Sequence, residues 1–307
     1  MLIYITRRVL WLVPVLWFVA TVTFVLMHAV PGGPFDQEAP RTAGTARNLE
    51  LKYGLAESLP TQYVRYMRGL ATGDLGISFQ YQDRAVTEVL GEGIGPTATL
   101  GLLTSLYVVI VGVPLGALAA LRERSLLDSL SIGFATLGAS LPSFVLAIFL
   151  VTVLSVRLNW TPVVGWGDVS HAILPVIALG SLPASYIARI TRAAMIEVRD
   201  EDYVRTARAK GLQERTVVLR HMARNALIPV LSLIGPITAN LVTGSFIIEQ
   251  VFAIPGIGRA FVQAGFARDY GVIMGATLFY AAVVAIANLV VDVLYGVVDP
   301  RIRAGRA

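Results

Sequence analysis

Residues 9–30 read VLWLVPVLWFVATVTFVLMHAV, an unbroken apolar run without one Asp, Glu, Lys or Arg. A helix needs roughly 20 such residues to cross the hydrocarbon core of a bilayer, so this stretch is long enough to span one. Working outward along the chain, five more runs qualify: Thr97–Leu121, Leu130–Val156, Ala172–Met195, Ala226–Val251 and Val272–Val298. Each contains Gly, Pro or Ser, which membrane helices tolerate where neighbouring helices resatisfy the freed backbone groups. The 307 residues are 55% hydrophobic and 15% charged, against about a quarter charged in an ordinary soluble domain. Mean hydropathy is +0.69. The sequence therefore predicts an all-α, polytopic membrane protein, one domain over residues 1–307 with six transmembrane helices.

The first run exceeds the apolar core of a secretory signal and ends in Pro31-Gly32-Gly33-Pro34 without a small-x-small cleavage pattern, so it is read as a retained helix. Six spans put both termini on one side, and the Lys/Arg placement says which. Arg7 and Arg8 precede span one, and Arg122 and Arg124 join spans two and three. Arg199, Arg205, Arg208, Lys210, Arg215, Arg220 and Arg224 crowd the segment between spans four and five. Arg301, Arg303 and Arg306 follow span six. All four groups fall on the same face, which predicts cytoplasmic N- and C-termini. The opposite side carries the long segment 31–96, whose Arg and Lys residues are offset by Asp and Glu. Within it Tyr63, Tyr66, Met67 and Leu70 recur at helical spacing, predicting an amphipathic helix lying on the membrane or on a partner. Gly73-Asp74-Leu75-Gly76 reads as the turn that follows, and Gly91–Pro96 as the hinge into span two.

Chemistry is thinly represented. With no cysteine there is no disulfide or Cys-ligated metal, and His28, His171 and His221 stand far apart without a metal-binding spacing. No Gly-x-Ser-x-Gly elbow and no phosphate-binding Gly-Lys-[Ser/Thr] loop occurs, so no catalytic, cofactor-binding or metal site is expected and the chain cannot hydrolyse ATP by that route. A pI near 9.6 reflects membrane topology and not nucleic-acid binding. Charges in the spans are read as confined to Glu249 and Asp292, near span ends, which leaves a proton-coupled secondary transporter without its midplane carboxylates. Glu249, followed by Phe252, Pro255 and Gly256, is a candidate external gate or a packing contact. Ser140 and Ser143 flank Leu141-Pro142 as a kinked helix lining a path, and Asn240 can hydrogen-bond across an interface. Gly112-Val113-Pro114-Leu115-Gly116 has the small-residue spacing of closely packed membrane helices.

Segment 196–225 is the most informative. It is polar and basic, yet Val204, Ala207, Leu212, Val217, Val218 and Leu219 keep helical spacing around Gly211, a residue suited to the positive φ that ends a helix. Two short helices about a glycine turn would dock a soluble partner; a basic loop held to anionic headgroups is the alternative.

Here the chain resembles the permease subunits of ATP-binding-cassette importers. Against the general loop pattern of that class only Ala207 and Gly211 match, but Asp202–Leu212 (DYVRTARAKGL) and His221–Pro229 (HMARNALIP) are similar almost word for word to the oligopeptide/dipeptide/nickel branch. So are Tyr4–Arg8, Gly73–Ser78, Glu249–Gly258 and Asp299–Arg303, and the long external segment is that of the B-type subunit. The resemblance implies an inner-membrane permease of a prokaryote, multi-pass and non-enzymatic. Its partners would be a second permease, two ATPases that bind the ATP, an extracytoplasmic substrate-binding protein and membrane lipid. Asp202, Tyr203, Arg205, Thr206, Ala207, Lys210, Gly211, Leu212 and His221 would form the ATPase-coupling loop. Peptide is the expected cargo, with nickel, glutathione or another small solute as alternatives and a stand-alone secondary transporter as a remote one.

Overall fold

The computed structural model describes residues 2–31, 53–81 and 84–298. Segment 32–52 of the stretch between the first two apolar runs, and Asp299–Arg303 with Arg306, lie outside the described residues. The described chain is all-α, its only strand-like pairing being an isolated bridge between Ile77 and Ala85. In order come α1 (Leu2–Ala29), α2 (Leu59–Thr72), α3 (Val86–Leu121), α4 (Leu126–Ser140), α5 (Ser143–Arg157), α6 (Val169–Arg199), α7 (Asp202–Ala209), α8 (Glu214–Val242), α9 (Phe246–Val251), α10 (Ile257–Ala267) and α11 (Tyr270–Val298). α1, α3, α6, α8 and α11 contain stretches long and apolar enough to cross a membrane, and α5 is a shorter apolar helix. α1 shows why they need lipid: Leu10, Trp11, Val13, Trp17 and Phe18 are all more than half exposed, which water would penalise and a bilayer does not.

The chain forms two compact units. The first joins residues 1–97 to Ile254–Leu289. Its core gathers Val86, Val89 and Leu90 of α3 with Ile257 and Ala264 of α10 and Val272, Ile273 and Ala276 of α11. A second cluster sets Phe24 of α1 against Tyr63 and Tyr66 of α2 and Tyr270 and Met274 of α11. The amphipathic face expected of α2 is therefore present but packs on this chain's own helices, with the Tyr63 hydroxyl 2.8 Å from Thr21 Oγ1. α2 ends where Gly73 takes φ 79°. Gly73 N donates to Leu70 O at 3.2 Å and Asp74 N to Gly69 O at 2.9 Å, the paired bonds of a left-handed C-terminal cap. Buried Asp269 starts α11. It accepts from Val272 N at 3.2 Å and from Gln80 N at 3.1 Å, and the Ser78 hydroxyl also donates to it.

The second unit is built on α6, which packs against α3, α4, α5 and α8. A Cβ at Gly112 would lie 2.8 Å from Ala184 O, and one at Gly116 would overlap Ala188 O. Only glycine allows this approach of α3 to α6, as the Gly-x-x-x-Gly spacing implies.

Helix ends depart from the apolar runs. Run 130–156 is two helices, α4 and α5, because Leu141-Pro142 leaves the helical conformation (Pro142 φ −54°, ψ 139°). Run 226–251 is also two. α8 stops at Val242, Gly244 takes φ 92° and Ser245 caps the short α9 by accepting from Ile248 N at 3.4 Å. At its other end α8 begins at Glu214, so the second of the two short helices expected in segment 196–225 is continuous with the helix of run 226–251. π-helical turns at Val108–Gly112, Val151–Arg157 and Val217–Met222 are built into α3, α5 and α8.

Candidate functional site

α7 is a two-turn helix whose N-terminus follows the extended Glu201. Val204 and Ala207, one turn apart, are buried against Ala120, Ala194, Met195, Val217, Met222 and Ala226. That anchor fixes the orientation of everything else on the helix. Asp202, Tyr203, Arg205, Thr206, Lys210, Gly211 and Leu212 are all exposed. Ala207 is thus the packing contact that holds the surface up and not part of it, and His221 is only partly exposed within a π turn of α8. Gly211 takes φ 75°, and its N–H donates to Arg208 O at 2.9 Å. Beyond the turn Arg208 closes onto Glu214 at 2.8 Å, which raises the Arg208 guanidinium above its ordinary range through that hydrogen bond. Tyr203 accepts at its hydroxyl from Asn225 Nδ2 at 2.8 Å. The result is a pre-shaped surface of mixed charge with an exposed aliphatic tip, Leu212.

The path candidates come together. Ser140, Pro142, Ser143 and Asn240 line one cavity of about 480 Å³ with Leu179, Leu182, Pro183, Ile237 and Leu241. It is an apolar recess with a few polar groups on its rim, opened by the break between α4 and α5. Of the gate candidates, Glu249 and Phe252 belong to the second unit and Pro255 and Gly256 to the first. Glu249 is fully buried on α9, which packs on α5 and α6, and Phe252 O accepts from Gly165 N at 2.8 Å. In the first unit a separate cavity of about 360 Å³ is lined by Phe24, His28, Tyr53, Tyr66, Phe79 and Tyr270 among others.

The reading that confined span charges to Glu249 and Asp292 needs correction. Arg189 and Arg192 lie inside α6. Arg192 grips Asp128 with both guanidinium arms, Nε to Oδ1 at 2.8 Å and Nη2 to Oδ2 at 2.9 Å. Two turns on, Arg199 Nη2 meets Glu123 Oε2 at 2.9 Å. The signal was available in the sequence, since Arg192 falls within the run Ala172–Met195.

Residues 112–304 match the family described as binding-protein-dependent transport system inner membrane component, and residues 1–92 match the N-terminal component of the same kind of system. The chain belongs to this family. It is thus an inner-membrane, multi-pass permease. Relatives match it end to end. The dipeptide transport system permease protein DppB of Bacillus subtilis is 40% identical, covering 98% of this chain and 97% of that one. The oligopeptide transport system permease protein OppB of Salmonella typhimurium is 42% identical over 99% of this chain and all of its own length. In fold, the permease resembles the inward-facing MetNI methionine transporter, with TM-score 0.58 and 18% identity over 69% of this chain and 97% of that one.

Proposed function

We propose that this permease is the path-forming subunit of an ATP-driven peptide importer, worked through α7 and the Gly211 turn. The single observation that carries the coupling reading is the split of α7 into a buried anchor, Val204 and Ala207, and an exposed face running from Asp202 to Leu212. The full-length identity to dipeptide and oligopeptide permeases supports peptide as the cargo.

In this reading two ATPases, a second permease and an extracytoplasmic binding protein complete the assembly, and both termini face the cytoplasm with α7. Closure of the ATPases on ATP presses on the exposed face of α7. Because Val204 and Ala207 seat α7 on α6 and α8, the push is passed to those helices instead of being lost in a loose loop. The cavity at Ser140, Pro142, Ser143 and Asn240 is part of the route; its rim offers hydroxyl and amide groups to a passing peptide main chain. Glu249 and Phe252 act at the external end of that route. A buried carboxylate is costly and has to be held by partners, so a shift of α9 would change those partners.

The test replaces Gly211 with Val in the complete complex. Uptake of a labelled dipeptide is expected to fall to background while ATP hydrolysis no longer responds to the loaded binding protein. Unchanged uptake would remove the coupling assignment.

A further inference from the structure

We infer that Asp128 and Arg192 are positioning residues that make α4 travel with α6, so that displacement of α7 reaches the cavity at Ser140. The inference rests on the coupling reading above and adds the part that transmits the stroke. α6 runs to Arg199, and α7 begins three residues later at Asp202. What happens at α7 therefore happens first to the last turns of α6. Those turns carry the two ion pairs. Asp128, in the first turn of α4, is 4% exposed. Its carboxylate takes both arms of Arg192 and also Arg124 N at 2.9 Å, while its own N–H donates to Ser125 Oγ at 3.3 Å. A carboxylate bound through both oxygens to a forked guanidinium has a fixed direction as well as a fixed distance. Glu123, just before α4, is held by Arg199.

Arg192 and Arg199 are seven residues apart and so lie on one face of α6. The chain of contacts continues to α7, because Arg208 Nη1 donates to Arg199 O at 3.5 Å and Arg208 binds Glu214. At the far end of α4 the contact with α6 is steric. A Cβ at Gly138 would lie 2.5 Å from Ser185 Oγ and 3.2 Å from Ser181 O. α4 is thus tied to α6 at both ends, by charge at Glu123 and Asp128 and by close packing at Gly138. Its 15 residues make a rod of about 22 Å. The next two residues, Leu141-Pro142, are non-helical and end the rod there. Ser140 ends the rod and borders the cavity. An ion pair shielded on the Asp128 side and partly exposed on the Arg192 side need not add net stability over an apolar pair of similar volume, whereas its forked, two-point contact fixes how the two helices meet. That fits a pair whose work is alignment.

The experiment compares four complexes reconstituted in liposomes: wild type, Asp128→Asn, Arg192→Lys and the swap Asp128→Arg/Arg192→Asp. Uptake and stimulated ATP hydrolysis are normalised to the amount of permease that co-purifies with its ATPases. Because the chain contains no cysteine, nitroxides on Leu130→Cys of α4 and Tyr186→Cys of α6, both exposed, report the separation of the two helices with and without ATP. In wild type that separation should stay the same with ATP, since the helices travel together. In Asp128→Asn the complex should assemble, an ATP-driven change in separation should appear, and uptake per assembled complex should fall about tenfold. Arg192→Lys, which keeps the charge and loses the fork, should fall between, and the swap should recover part of the loss. The inference is overturned if uptake per assembled complex stays within about twofold in Asp128→Asn, or if the separation there is as constant with ATP as in wild type. Failure of the coupling reading itself would look different: Gly211→Val would then transport normally, whatever the Asp128 variants do.

Discussion

Arg208 and Glu214 face each other across the Gly211 turn, joined by Nη2–Oε1 at 2.8 Å and Nε–Oε2 at 3.2 Å. Both side chains are well exposed, 36% and 59%, so water and salt screen the pair and it contributes no more than about 1 kcal/mol. Glu214→Gln is accordingly expected to lower stability by less than about 1 kcal/mol in thermal unfolding at low salt. At high salt the difference from wild type should shrink. A larger loss that salt does not reduce would mean that the pair is structural in a way its exposure does not allow.

Gly211 separates strain from crowding. Its φ is 75°, and a Cβ there would meet nothing within 4 Å. Substitution therefore costs only backbone strain, about 1–2 kcal/mol for an ordinary side chain. Asn, which tolerates the left-handed region, should cost less than Ala, and Val the most. Circular dichroism melts of the three variants in detergent check the order. A ranking by side-chain volume alone, with Asn worse than Ala, would contradict it.

Two glycines in helices make a matched pair. Gly116→Ala drives a methyl into Ala188 O, whereas Gly133→Ala meets nothing within 4 Å among the described residues. Overpacking of the first kind typically costs about 1–3 kcal/mol. The second should be neutral or gain up to about 1 kcal/mol from helix propensity. Midpoints of thermal aggregation of the purified protein should move in opposite directions, and equal shifts would refute the close packing of α3 on α6.

Tyr66 carries a buried hydroxyl without a hydrogen-bond partner among the described residues, and burial pushes its pKa up. Its ring stacks on Phe24 at 5.9 Å, a contact that Phe retains. Removing an unpaired buried hydroxyl relieves a penalty of about 1–3 kcal/mol, so Tyr66→Phe is expected to match or exceed wild-type stability. A clear loss would reveal a partner for the hydroxyl in the membrane-embedded protein.

How far the sequence could be read depended on what each signal measures. Hydropathy found the apolar runs because the bilayer enforces them, but it could not see α8 continue through Glu214–Asn225. Its helix is marked instead by the spacing of a few apolar residues, of which Val217 and Met222 are buried against α7. The break at Leu141-Pro142 was visible as a proline, though as a kink and not as the end of a helix. Arg192 was missed because one charge scarcely lowers the average of a long apolar window, and its partner Asp128 lies 64 residues away. Ala207 was read as part of a contact surface from its place in a motif. Its helical spacing with Val204 also marked it as a packing position, and the fold buries that pair while Leu212 and Leu219 of the same apolar set face out. Ser140, Ser143 and Asn240 stood out in the sequence because polar side chains in apolar helices are costly without polar company, and the fold brings the three to one cavity.

The first unit is assembled from both ends of the chain, and this sets a timetable for biogenesis. Phe24, Tyr63 and Tyr66 leave the ribosome early, whereas Tyr270 and Met274, which complete their cluster, follow some 200 residues later. At ribosomal speeds of about 5–20 residues per second that interval lasts roughly 10–40 s. For that time an aromatic surface beside the first membrane helix waits uncovered. The nascent chain would need a membrane insertase or holding chaperone over that surface until the last helix arrives.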